Sequence, residues 1–221
     1  MRRIFRNSFF VGAKNFSPLL FILLLYSSAF AGDLQTDIAT VENFTASAQT
    51  LQLNFVQKTF VKVLGKNIEK KGTLSLKKGG KFRIEYLDKT EKLFVCDGEI
   101  LWVVDPSNPE PQSLNAHGGA VPEEVFTMLS DGKSLQKDFQ IAELQNAEGN
   151  ISLKFQPRKK TSYNFLEGIF SKNGAPENLK IINSSGNVTE YQFSNLKKDQ
   201  QLADTYFSLS SGKATPDTLP E

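Results

Sequence analysis

KFRIEYLDKTEKLFVCDGEILWVVDP, residues 81–106, is the most strongly patterned stretch of the chain. Phe82, Ile84 and Tyr86 alternate with Arg83 and Glu85, the two-residue period of a strand with one apolar face. Asp88-Lys89 and Asp97-Gly98 supply turns on either side of the apolar run 91–96, and the run 100–104 follows before Asp105-Pro106. The stretch predicts an antiparallel meander with strands at 81–87, 91–96 and 100–104. From the pleat, Phe82, Ile84 and Tyr86 should share one face, with Ile100, Trp102 and Val104 sharing a face of the next hairpin arm, both pointing inward. None of these side chains suggests catalysis.

The same chemistry extends in both directions. Upstream, Leu34, Ile38, Val41 and Phe44 recur at three- and four-residue spacing behind Asp33, predicting a capped amphipathic helix. From Thr50 the period falls to two, with Leu51, Leu53 and Phe55 against Gln52 and Asn54, and extended chain is expected to Val63 and again over 68–77. Downstream, 105–121 contains prolines and glycines that argue against a strand, and Pro122 with Glu123 and Glu124 opens a short apolar helix ending at Asp131-Gly132. Further strands are expected at 138–145, 150–156, 162–170, 177–184 and 187–196, with Tyr206 and Phe207 in a final one. So many short strands with frequent turns imply a large curved antiparallel sheet or barrel rather than a βαβ fold.

Residues 1–31 read as a Sec-type signal peptide. Arg2, Arg3, Arg6 and Lys14 precede the apolar core LLFILLLY at 19–26, and Ala29-Phe30-Ala31 matches a cleavage site, predicting removal after Ala31 and a periplasmic protein. One domain over 32–210 and a polar tail over 211–221 remain. The charge of +2 is small, and the leader holds basic but no acidic residues, so removing it leaves a slightly acidic chain. Lysines interleaved with carboxylates form no basic face for nucleic acid. Cys96 is the single cysteine, so an intrachain disulfide is excluded and stability must come from an apolar core. Cys96 and His117 could pair as nucleophile and base only in outline, since Cys96 sits in an apolar strand where a thiol is usually inert. No catalytic residue, metal site or cofactor is expected.

The order of motifs resembles the periplasmic lipoprotein carriers of the LolA family. An N-terminal helix precedes Phe55-x-Gln57, Gly72-x-Leu74-x-Leu76, Lys78-Gly79-x-x-Phe82-x-x-x-Tyr86 and Asp97-Gly98-x-x-x-Trp102-x-x-Asp105-Pro106. The resemblance is specific over 55–106 and weak beyond about residue 140. It implies a mainly β fold with helices: an incomplete, unclosed antiparallel β-barrel covered by a helical lid around an apolar cavity. The acyl-binding cavity would then be lined by Phe55, Phe82, Ile84, Tyr86, Ile100, Trp102 and Val104, with Phe126, Met128 and Leu129 on the lid. In the family an arginine followed by proline latches the lid. Here Lys78 and Gly79 stand at those positions, so a weaker or differently placed latch is expected, from Lys78 alone or helped by Arg83, with a solvated turn lysine at 78 as the other reading.

An acyl chain carried bare through water costs about 0.8 kcal/mol per methylene, which a greasy cavity removes. The resemblance therefore implies a monomeric carrier of acylated lipoproteins, loaded by an inner-membrane ABC transporter and emptied onto an outer-membrane acceptor where one exists. Two other readings stay open: a carrier or sensor of another lipid or glycolipid, and a secreted β-rich module with a solid interior.

Overall fold

The computed structural model describes residues 34–108, 110–115, 135–144 and 149–209. These belong to one compact unit, Asp33–Glu221. The predicted leader over 1–31, the Asp33 cap, His117, the helix carrying Phe126, Met128 and Leu129, and the tail over 211–221 lie outside the described residues.

Helix α1 (Leu34–Ser47) buries Ile38, Val41 and Thr45, with Leu34 and Phe44 packed at the margin of the core. This is the stripe its spacing predicts. The helix ends where the Ser47 hydroxyl donates to the Asn43 carbonyl at 2.7 Å, and Ala48 N–H donates to Thr45 O at 3.2 Å. Five strands follow in a meander: β1 (Thr50–Val61), β2 (Lys66–Lys77), β3 (Lys81–Tyr86), β4 (Leu93–Asp97) and β5 (Ile100–Val104). The Asp97 carboxylate accepts from Glu99 N–H and Ile100 N–H at 2.9 and 2.8 Å, closing the β4–β5 turn. Gly98 there has φ +104°, and a Cβ on it would strike Gly79 O of the neighbouring turn. Only glycine fits.

Two expectations need correction. The segment 105–121 does contain a strand, β6 (Gln112–Asn115), which pairs with β5 despite the surrounding prolines and glycines. Four edge residues avoid the prolines, so the penalty never applies. Conversely, Tyr206 and Phe207 belong to a 3₁₀ helix, Asp204–Phe207, rather than a last strand. Asp204 is held by two lysines there, and that anchoring outweighs the β preference of the aromatic pair.

A short helix α2 (Leu135–Asp138) leads into the second meander: β7 (Phe139–Glu143), β8 (Ile151–Pro157), β9 (Tyr163–Phe170), β10 (Pro176–Asn183) and β11 (Val188–Lys198). The eleven strands found among the described residues form one antiparallel sheet in the order β6-β5-β4-β3-β2-β1-β11-β10-β9-β8-β7. The two meanders meet at β1 and β11, and β6 and β7 remain as edges, so the barrel is not closed. A register shift opposite Gln52 and Asn54, with Asn195 at φ +51°, bends the sheet at that seam.

Candidate functional site

Pairing across antiparallel strands places partners on the same face, so the registers alone trace two surfaces. Leu53 pairs with Leu74, Leu74 with Ile84, Ile84 with Phe94, and Phe94 with Val103. One row lower, Leu51, Leu76, Phe82, Cys96 and Leu101 are successive partners. Across the seam the face continues through Tyr191, Leu179, Leu166 and Phe155. These residues join Ile38 and Val41 of α1 in one buried cluster that reaches from Val103 to Phe139. Strands at opposite ends of the sheet thus share a core, so the sheet curls around this inner face.

Aromatic rings line the centre of that face. Phe55 meets Tyr86 edge-on at 5.4 Å and Tyr191 at 6.0 Å, while Tyr191 stacks on Phe193 at 6.2 Å. Toward the β1–β2 turn the face becomes polar. The Tyr86 hydroxyl donates to Gln57 Oε1 at 3.3 Å, Gln57 Nε2 donates to Thr59 Oγ1 at 3.2 Å, and Thr59 Oγ1 meets Thr189 Oγ1 at 3.2 Å. Burial, and secondarily the Glu91 carboxylate, push the Tyr86 phenol above its ordinary value, so it stays a neutral donor. The inner face can therefore shelter hydrocarbon, with hydrogen-bonding groups at one end.

Phe55, Phe82, Ile84 and Tyr86 lie on the inner face, as their alternation suggests. Ile100, Trp102 and Val104 do not. Leu101 and Val103 take the inward positions at 1% and 6% exposure, while Ile100 is 42% exposed. Val95, the partner of Trp102, is fully buried yet outside the inner cluster. Sequence reasoning missed Leu101, Val103, Tyr191 and Phe193. For the first two the signal was the turn: Cys96 pairs with Leu101, which sets the phase of the next strand.

The lid helix that Lys78 and Arg83 are expected to latch lies outside the described residues; Arg83 itself has other contacts. It lies on the outer face, where its Nε donates to Glu85 at 3.2 Å, its Nη1 donates to Tyr206 O at 3.5 Å, and its guanidinium sits 4.9 Å from the Tyr206 ring centre. Lys77 and Lys81 hold Asp204 at 2.6 and 2.8 Å. Arg83 thus fastens the C-terminal segment. Lys78 is exposed in the β2–β3 turn, its N–H donating to Gln49 O at 3.0 Å. A groove of about 1470 Å³ opens on this outer side between β1, β2 and residues 199–208, and the polar side chains of Gln52, Asn54, Thr73 and Ser75 reach it. Leu196, Leu202, Ala203 and Tyr206 line it as well, so its lining is mixed where the inner face is continuously apolar.

Among the described residues no group of three metal-ligating side chains occurs, and no helix is long and apolar enough to cross a membrane. Cys96 is buried, and burial raises its thiol above the ordinary range, away from nucleophilic use.

Comparison with known proteins gives concordant results. A family model described as outer membrane lipoprotein carrier protein LolA matches residues 46–210. An outer-membrane lipoprotein carrier protein of Nitrosospira multiformis is 27% identical over 203 residues, covering 90% of this chain and 94% of that protein. One from Chromobacterium violaceum is 24% identical over 201 residues, covering 90% and 96%. The fold is similar to that of an uncharacterized conserved protein from Thermus thermophilus, with a TM-score of 0.51, 13% identity, and coverage of 83% of this chain and 94% of that one.

Proposed function

We propose that this chain, which belongs to the LolA family of outer-membrane lipoprotein carriers, is a periplasmic carrier that shields lipoprotein acyl chains against its inner face and delivers them toward the outer membrane. The observation that carries this reading is the continuous apolar inner face of an unclosed sheet, running through both meanders. Export follows from residues 1–31, with cleavage after Ala31. An inner-membrane ABC transporter supplies the cargo and an outer-membrane acceptor takes it. The protein is a carrier and does no covalent chemistry.

Phe82 and Ile84 are only 3% and 7% exposed, so an entering chain must displace elements packed on that face. Unloading then follows from a partner that favours the emptied arrangement, since transport needs differential rather than maximal affinity. Exposed Lys78 beside Gly79 and Gly80 favours a second reading, in which a looser closure serves another lipid or glycolipid.

Native mass spectrometry of protein taken from its own periplasm separates the two. A bound triacylated polypeptide supports the first reading and free lipid the second. No ligand, together with no uptake of a fluorescent acyl probe, rejects both. With the same probe, Phe193→Ser on the inner face should weaken uptake about tenfold, the loss of one large apolar contact. Trp102→Ser, on the outer face, should leave uptake unchanged.

A further inference from the structure

Four of the exposed large hydrophobic side chains cluster at one place, the β1–β2 hairpin tip: Val63 at 89%, Leu64 at 61%, Ile68 at 43% and Phe60 at 40% exposure. Lys58, Lys62, Lys66 and Lys71 are exposed around them. Glu69 lies near Lys58 and Lys71 at 3.9 and 3.2 Å, whereas Lys62 and Lys66 have no carboxylate partner among the described residues. We propose that this tip is a membrane-docking device that seats its apolar apex in the surface of an anionic phospholipid bilayer.

Three features favour a bilayer over a protein pocket. First, the register pairs Phe60 with Asn67 and Thr59 with Ile68, so Phe60 and Ile68 project from opposite faces of the ribbon while Val63 and Leu64 cap its end. A groove on a partner protein grips one face; a fluid interface surrounds all of them. Second, the lysine collar matches anionic headgroups, and lysine stems can lie along hydrocarbon while their ammonium groups stay in the headgroup layer. Third, the turn satisfies backbone groups internally, with Leu64 N–H donating to Val61 O at 3.1 Å and Gly65 N–H to Lys62 O at 3.3 Å. That lowers the cost of leaving water.

The position has a consequence for transfer, which rests on the carrier reading. Thr59 and Ile68 face the same way as Phe55, so a seated tip brings the polar end of the inner face against the bilayer.

Vesicle co-sedimentation of the full chain, processed by its expression host, tests the docking. Wild type should sediment with vesicles of phosphatidylethanolamine and phosphatidylglycerol and poorly with phosphatidylcholine alone. The double variant Val63→Glu, Leu64→Glu should lose about tenfold in partitioning, the scale set by removing apolar contact with the interface. Lys62→Gln with Lys66→Gln should erase the preference for phosphatidylglycerol. All four positions are exposed, so the fold should persist. Wild type that ignores both vesicle types, a glutamate variant that binds as well as wild type, or a tip that serves only to join two copies in size exclusion would each overturn the proposal. Acyl-probe uptake measured on the same samples keeps the readings apart: its failure in wild type removes the carrier reading and leaves the vesicle result standing.

Discussion

Gly72 shows how one position can carry the site. A Cβ there would collide with Glu85 O and come within 2.7 Å of the Phe55 ring. The bare backbone lets Phe55 lie across β2 and reach Tyr86. Gly72→Ala should therefore destabilise by about 1–3 kcal/mol, the usual cost of forcing extra volume into a packed core. Chemical denaturation would check it, and an unchanged midpoint would refute the close approach. The same logic governs the choice of probe on the inner face. Phe82→Glu would bury a carboxylate between Leu76 and Cys96 and threaten the fold, so lost binding would be ambiguous. Half-buried Phe193 is the cleaner test. Alternation alone could not give the phase of residues 100–104 for a related reason: Ile100, Leu101, Trp102, Val103 and Val104 are all apolar, and a polar partner is needed to show which side is wet, so only the turn carried the signal. Around Phe82 and Ile84, Arg83 and Glu85 supplied that contrast.

Among the elements, the 3₁₀ helix Asp204–Phe207 has the most specific electrostatics. Hydrogen bonds from Lys77 and Lys81 lower the Asp204 carboxyl from 3.8 to about 2. Because the folded value is depressed, its contribution is fully present above pH 3.8 and is lost as pH falls through about 2. Hydrogen exchange or limited proteolysis of residues 199–209 should show the segment loosening across that window. Asp204→Asn should loosen it at neutral pH and abolish the acid dependence; a segment equally protected in both proteins would contradict this. Sequence pattern located α1 and ten of the eleven strands seen among the described residues because each is a periodic or apolar run bounded by turn residues. It misread this segment and β6, where tertiary partners decide. Tyr206 and Phe207 look like strand residues until Arg83 and the two lysines are placed beneath them.

In the assembled protein, β1, β2, β11 and β10 occupy the middle of the sheet and β6 and β7 its margins. Amide exchange should accordingly be slowest in β1 and β11, at the centre of the sheet, and fastest in β6 and β7, each with a single hydrogen-bonded neighbour among the described residues. A uniform profile would mean that the two meanders do not unfold from their edges. The overall architecture was legible because turn chemistry recurs at every hairpin. The pairing of β1 with β11 was not, since no local signal joins strands so far apart in sequence.

That seam has a temporal side. A chain emerging N-terminus first makes β1 at the outset and β11 nearly last, so the middle of the sheet stays open until synthesis or translocation is almost complete. Until then β1 offers an unpaired backbone to any stray strand, and the long loop that must close slows the final step. Truncation ahead of Val188 removes only β11 and the segment after it, yet should leave an aggregation-prone chain with β1 uncovered rather than a smaller working protein.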